Sequence, residues 1–304
     1  MEPQAQSVRP LLAALAAGAL AVAALPGIAA AAASGPTPAE IAEWNAPQAP
    51  FKIYGNTYYV GTKGLASILV TSDYGDVLID GGLPQSAKQI AANIQSLGFK
   101  LADVKAILNS HAHADHMGGI AELQGLTGAP VYLRRPSEAV MRTGKLQRND
   151  PQFGSKSPDI PPAKQIWIVS DEQWLGVGSI RLQDFATAGH TPGGTTWTWD
   201  ACIGEKCLKM VYADSLTPVS AEKFKFTASK DYPEALQDFE QAFKRLESMP
   251  CDVLLTPHPE VSQLFERMAK VPADKPEAIK EEGGCKRYAA AARAKLAERV
   301  ASEK

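Results

Sequence analysis

All five histidines of this chain fall within three short motifs, and that concentration limits what the fold can be built around. The first is His111-Ala112-His113-Ala114-Asp115-His116, followed by Met117-Gly118-Gly119. The second is Gly189-His190-Thr191-Pro192-Gly193, and the third is Thr256-Pro257-His258-Pro259. No histidine remains for incidental packing. Neutral imidazole is the commonest ligand for a borderline-soft divalent cation, and five imidazoles with one carboxylate, Asp115, suffice for two Zn²⁺ ions per chain.

The spacing of the first motif carries a geometric expectation. On an extended segment His111 and His113 project to one side, because side chains alternate with a period of two. The chain then turns toward a helix, which brings Asp115 and His116 round to a second point, so one loop serves two metals. Gly118 and Gly119 are expected to let the backbone turn tightly behind them. Val104–Leu108 reads as a short buried strand, which places the motif at a strand's carboxyl end, where α/β folds hold their sites. An isolated HxH is as readily a surface pair or a core histidine. A single metal with vestigial further ligands is the nearer alternative.

The rest of the chain alternates strand-like and helix-like runs. Strands are expected at Phe51–Tyr54, Tyr58–Val60, Ala66–Thr71, Val77–Asp80, Pro130–Leu133, Gln165–Val169, Ile180–Ala186, Thr195–Trp199, Leu208–Tyr212 and Val253–Leu255. Helices are expected at Gln85–Leu97, from the ligand loop to about Leu126, and at Pro233–Ser248, Glu260–Met268 and Gly284–Val300. Leu236, Phe239, Phe243 and Leu246 form a core stripe, and tryptophans 167, 174, 197 and 199 read as core. The irregular stretch from Gly144 to Lys164 is long enough to be a functional loop. Two sheets packed face to face with helices on both outer sides follow from this order.

With 304 residues, 45% of them hydrophobic, the chain can bury a substantial core. A net charge of −2 offers no footprint for nucleic acid. Residues 1–33 differ from the remainder: Arg9 precedes an apolar run to Leu25, Pro26-Gly27 break it, and Ala31-Ala32-Ala33 precede Ser34. This is the pattern of a cleavable signal peptide, leaving a single domain over 34–304 in the periplasm without stable membrane association. An uncleaved anchor is the alternative, for which the run is slightly short. Export makes disulfides the expected state of the four cysteines, and neither pair has the CxxC spacing of a zinc site.

These motifs resemble the metallo-β-lactamase superfamily, and in detail the class B β-lactamases of the third subclass. The likeness runs from about Trp44 to about Tyr288 and includes Tyr54-Gly55-Asn56-Thr57, Val77-Leu78-Ile79-Asp80-Gly81-Gly82, Ala188-Gly189-His190-Thr191-Pro192-Gly193-Gly194 and Tyr212-Ala213-Asp214-Ser215-Leu216-Thr217. HxHxDH is common to many hydrolases of the superfamily; GHTPGGT, YADSLT and the late TPHP narrow it. The resemblance implies a four-layer αββα sandwich of two mixed β-sheets. It implies His111, His113 and His190 on one zinc, and Asp115, His116 and His258 on the other. A hydroxide shared by the two ions would attack the β-lactam carbonyl, with Asp115 orienting it as the catalytic carboxylate and no acyl-enzyme formed.

Further roles follow from the same resemblance. Asp80 would support a metal ligand instead of merely closing a turn. Ser215 and Thr217 would hold the substrate carboxylate, with Gln152 a weaker candidate for substrate contact. Three cysteine connectivities are open. The short hairpin favours Cys202–Cys207 with Cys251–Cys285, the pairing the resemblance also implies. A further bridge of some relatives is absent, since Lys63 stands in the Gly61–Gly64 segment. The expected partner is a small-molecule β-lactam, and the expected state is a monomer. Two rivals remain: a hydrolase of thioesters, lactones or phosphodiesters that uses Asp214 as a metal bridge, and a secreted zinc-binding protein without catalysis. A serine β-lactamase would need SxxK with SDN and KTG, and the chain has no such set.

Overall fold

Strands that are apolar on both faces must be covered on both faces, and here the alternation decides the layering. The computed structural model describes residues 35–304 and Met1. The expected signal segment otherwise lies outside these residues. A seven-stranded sheet runs in the order β1 (Phe51–Tyr54), β2 (Thr57–Tyr59), β3 (Ile68–Val70), β4 (Asp76–Ile79), β5 (Val104–Leu108), β6 (Val131–Arg134), β7 (Ile166–Val169). It is antiparallel from β1 to β4 and parallel from β4 to β7. A five-stranded sheet contains β8 (Trp174–Val177), β9 (Ile180–Ala186), β10 (Thr195–Ile203), β11 (Lys206–Tyr212) and β12 (Val253–Leu255), antiparallel except for the β11–β12 pair.

Ile68, Val70, Val77 and Ile79 face the second sheet, where Leu182, Trp197, Trp199, Met210, Tyr212, Val253 and Leu255 meet them. The intervening residues Leu69, Leu78 and Ile107 face the opposite way, onto helices. In chain order the helices are α1 (Pro38–Trp44), α2 (Ala87–Ser96), α3 (Ala114–Met117), α4 (Ile120–Thr127), α5 (Arg135–Thr143), α6 (Ala235–Ser248), α7 (Leu264–Met268) and α8 (Gly284–Ala301). Residues of α2, α4 and α5 cover the first sheet. On the second sheet, Val211 and Leu254 turn outward to Phe239, Phe243 and Leu246 of α6 and to Ala289, Ala292 and Leu296 of α8. Three apolar layers therefore separate four layers of structure. Deleting one fully buried side chain, as in Leu78→Ala, costs about 2–5 kcal/mol.

Several expectations need correction. Trp197 and Trp199 are buried, their indole N–H groups donating to Asn109 O at 3.1 Å and Thr57 Oγ1 at 2.9 Å. Trp167 and Trp174 are 59% and 57% exposed, because they lie on β7 and β8, each the last strand of its sheet with an uncovered face. The helix after the ligand loop is two helices. Gly118 and Gly119 both have right-handed φ, so conformational freedom is not what they supply. A side chain on either would run into the Gly81–Pro84 segment, whose backbone bonds the break: Gly81 N–H donates to His116 O and Gly119 N–H to Gly82 O. The helix expected from Glu260 begins at Leu264, since Thr256 Oγ1 ties His258 O and Ser262 Oγ into a turn and Gln263 takes φ +50°.

The structure pairs Cys202 with Cys207 across the β10–β11 hairpin, and Cys251 with Cys285, joining the start of β12 to the first turn of α8. Among the described residues no helix is long and apolar enough to cross a membrane.

Candidate metal centre

Two parallel strand pairs deliver the site residues. Side by side, β4 and β5 release Asp80 and the Asn109-Ser110-His111 run at their carboxyl ends. Likewise β11 and β12 release Asp214 and the Thr256–His258 run. The β9–β10 connection adds His190, preceded by Gly189 at φ +137°, where a Cβ would strike the Phe239 ring. Asp80 also has positive φ, +59°, unusual for a residue with a side chain. Its surroundings hold it there: the carboxylate accepts from Ser110 N at 2.7 Å, Ser110 Oγ at 2.6 Å and Tyr212 OH at 2.8 Å.

His111, His113 and His190 are buried, with one ring nitrogen of each lying within 4.8 Å of the others. Their remaining nitrogens identify which ones those are. His111 Nδ1 lies 2.7 Å from Asp214 Oδ1, His190 Nδ1 lies 2.7 Å from Thr217 O, and His113 Nε2 lies 3.2 Å from both oxygens of Asp150. The Thr217 carbonyl accepts only, so His190 Nδ1 carries the proton; on His111 and His113 the far nitrogen faces a carboxyl group and the other nitrogen faces the site. The lone pairs of His111 Nε2, His113 Nδ1 and His190 Nε2 then converge, two of them, on His113 and His190, only 3.1 Å apart. Facing lone pairs repel unless a cation lies between them. Histidine ligands to metals are oriented this way, by an acceptor on the far nitrogen.

A second group is His111, Asp115 and His116. His116 is fully buried, yet neither of its ring nitrogens has a hydrogen-bond partner. Nε2 is 3.1 Å from Asp115 Oδ2 without hydrogen-bonding alignment, and Nδ1 is 4.0 Å from Asp80 Oδ2. A buried, unsatisfied imidazole is costly unless something fills its lone pair. His258 Nε2 lies 3.3 Å from the same Asp115 oxygen, so Asp115 stands between two imidazoles. The donor set of buried nitrogens and one carboxylate fits a divalent metal of the zinc type.

At His111, His190 and Asp115 the electrostatics suit a cationic ligand. Burial holds the His111 imidazole well below its ordinary pKa and takes His190 down to about 3, so both remain neutral, the ligating form. Burial would raise the Asp115 carboxyl, but His116 and His258 outweigh it and hold the group well below the usual range. Burial also disfavours charge on His113, and the neighbouring Asp150 reverses this, raising its pKa.

Residues 61–202 match the family model described as metallo-beta-lactamase superfamily. The solved Rm3 metallo-beta-lactamase is 49% identical, and the likeness covers 88% of this chain and 99% of that one with a TM-score of 0.85. The chain belongs to the metallo-β-lactamase superfamily. MEM-A1, described as a subclass B3 metallo-beta-lactamase isolated from a soil metagenome library, is 42% identical over 86% of this chain and 98% of its own, with a TM-score of 0.83. Among curated proteins, a ribonuclease of Thermus thermophilus is 31% identical over 47% of this chain and 36% of its own length. A probable metallo-hydrolase of Bacillus subtilis is 37% identical over 38% and 48%. The chain thus spans less than half the length of these curated relatives.

Around this centre the remaining candidates take distinct places. Thr217 is tied to His190 through its carbonyl, and its hydroxyl is 3.4 Å from the same Nδ1. Ser215 is buried directly after Asp214. Gln152 Nε2 reaches to 3.4 Å from His113 Nδ1, which brings the long loop onto the site. Asp214 is hydrogen-bonded behind His111, and Asp80 adjoins His116 at its distance of 4.0 Å. Sequence reading missed Asp150, whose Asn-Asp-Pro setting in an irregular loop carries no ligand signal. It also missed Trp44, whose ring lies edge-on to His258 at a centroid distance of 5.3 Å, and Tyr288, which bonds the Asp214–Leu216 backbone.

Proposed function

We propose that this protein hydrolyses the amide bond of β-lactams, penicillins, cephalosporins and carbapenems alike, with two zinc ions per chain, and so confers resistance to them. The observation that carries the reading is the 49% identity to a metallo-beta-lactamase across 88% of the chain. It extends well beyond the segment shared with ribonuclease and metallo-hydrolase relatives. His111, His113 and His190 would hold one ion and Asp115, His116 and His258 the other. When bound, the ions supply Lewis acidity and lower the pKa of water.

The protein's own groups divide the remaining work. Asp214, Thr217 and Asp150 each fix a tautomer by accepting from the far nitrogen of a histidine. Asp115, held ionised by its two imidazoles, orients the attacking water and receives its proton. Ser215 and Thr217 offer hydroxyls to the substrate carboxylate, and Gln152 borders the approach from the long loop. We further propose export to the periplasm after cleavage near Ser34, where the two disulfides are stable, and action as a monomer.

Turnover of a chromogenic cephalosporin by purified protein, with and without a chelator, tests the reading. Chelator-sensitive hydrolysis supports it. Hydrolysis of a thioester, lactone or phosphodiester in its place favours the rival hydrolase, and metal binding without turnover of any of these favours the non-catalytic rival. Asp214 gives the rival hydrolase less support than a bridging aspartate would, because Oδ1 is engaged with the far side of His111.

A further inference from the structure

We propose that the Tyr288 hydroxyl is a positioning group for the metal centre: it fixes the backbone that carries both Asp214 and Thr217. The proposal rests on the ligand assignment above. Residues 213–217 follow β11 without regular structure, yet they supply the acceptors behind two of the three converging imidazoles. Asp214 holds His111 and Thr217 O holds His190. Their geometry therefore depends on whatever fixes this stretch.

Tyr288 OH donates to Asp214 O at 2.8 Å and accepts from Leu216 N at 3.0 Å. One oxygen thus satisfies the two backbone groups that flank Ser215, the place a neighbouring strand would otherwise take. Only a group that both donates and accepts can do this, and phenylalanine cannot. Two further backbone bonds hold the start of the stretch: Ala213 N–H donates to Leu255 O at 2.9 Å, and Asp214 N–H to Thr196 Oγ1 at 3.1 Å. The helix behind the hydroxyl is itself anchored. Cys285 precedes Tyr288 by one turn of α8 and is bonded to Cys251. A continuous set of contacts leads from that disulfide through α8 to the backbone behind His111 and His190.

Tyr288→Phe should therefore weaken the site without removing any ligand. In competition with a chromophoric chelator, zinc affinity should fall about 10-fold, the lower end for loss of a partner behind a ligand. The cobalt-substituted protein should show an altered visible spectrum, and at saturating zinc KM for a carboxylate-bearing cephalosporin should rise more than kcat falls. Tyr54→Phe is the control. It removes a hydroxyl that likewise makes a part-buried bond to backbone, with Lys206 O at 3.1 Å at the far hairpin, and should leave zinc affinity unchanged. Equal losses in the two variants, or an unchanged affinity in Tyr288→Phe, would overturn the proposal. If Tyr288→Phe does not fold, the double variant Cys251→Ser/Cys285→Ser decides. Weaker zinc binding than in Cys202→Ser/Cys207→Ser supports the proposal, and equal binding overturns it. Because metal affinity needs no substrate, these outcomes stand apart from whether β-lactams are the substrate.

Discussion

Asp214 Oδ1 and His111 Nδ1 are 2.7 Å apart, both fully buried, and this pair fixes which face of the His111 ring meets the site. The carboxylate lies behind the ligand and not between the two ligand groups. Asp214→Ala should accordingly still bind two zinc ions when metal is in excess. Its affinity should fall roughly 10- to 100-fold, as for other partners behind metal-bound histidines. Metal analysis under saturating and limiting zinc checks this. Loss of one ion at saturation, together with thioester or phosphodiester cleavage by the unaltered protein, would assign Asp214 as a bridge.

Asp115 is within 3.3 Å of two imidazole nitrogens, those of His116 and His258. Asparagine keeps the shape but loses the charge and the ability to take a proton. Asp115→Asn should reduce kcat by at least about 100-fold, the ordinary scale for a proton-transfer group. Steady-state rates at defined zinc, with metal content measured in parallel, separate lost ligation from lost proton transfer. Unchanged turnover with full metal would exclude the role.

Much of this centre was legible because its chemistry is local in sequence. His111 through His116 lie within six consecutive positions, and the expected Val104–Leu108 strand coincides with β5. The layering was legible too, since Ile68, Leu69 and Val70 are apolar on alternate faces and so require cover on both. Contacts made across the fold were not. Asp150 reaches His113 over 37 positions and Tyr288 reaches Asp214 over 74, and neither separation has a pattern to read. Helix α1 was readable and overlooked: Thr37 and Glu40 form a capping box with Pro38 in the first turn. The expected elements did not include helix α5, opening with Arg135-Pro136, or the short edge strand β8.

Substrate range follows from where catalysis is directed. On the proposed reading it is directed at the carbonyl oxygen and ring nitrogen common to penicillins, cephalosporins and carbapenems, and no acyl-enzyme would form for an inhibitor to trap. All three classes should be hydrolysed, monobactams poorly, with no effect of clavulanate and full loss of activity in EDTA. Readdition of zinc should restore it. A steady-state series on purified protein checks each arm. Carbapenem cleavage that persists after exhaustive chelation, or that clavulanate blocks, would falsify the mechanism.

The Cys251–Cys285 bridge closes a loop of 34 residues and the Cys202–Cys207 bridge one of five. On loop entropy the longer bridge contributes roughly 3–4 kcal/mol and the shorter about 2. Replacing each pair by serine should therefore lower the thermal midpoint more for Cys251/Cys285. Thermal melts of the two double variants give the comparison directly, and the opposite order would show that native packing, not loop length, dominates.

Asp76 provides a pH test away from the metal ligands. It opens β4 and is buried; burial raises its carboxyl to about 6, against the hydrogen bond it accepts from Ser72 N at 3.2 Å. The unfolded chain should titrate this group near the usual aspartate value of about 3.9. Between the two values the folded state binds the proton and the unfolded state does not. Its contribution to stability is therefore fully present below about pH 4 and is lost as pH rises through about 6. Asparagine cannot ionise, and its side-chain oxygen can still accept from Ser72. Asp76→Asn should thus gain stability relative to the unaltered protein as pH rises from about 4 to about 6, with the difference constant above that. Urea midpoints for both proteins across this range measure it. A difference that is flat throughout, or that runs the other way, would show that Asp76 is ionised in the fold at acid pH.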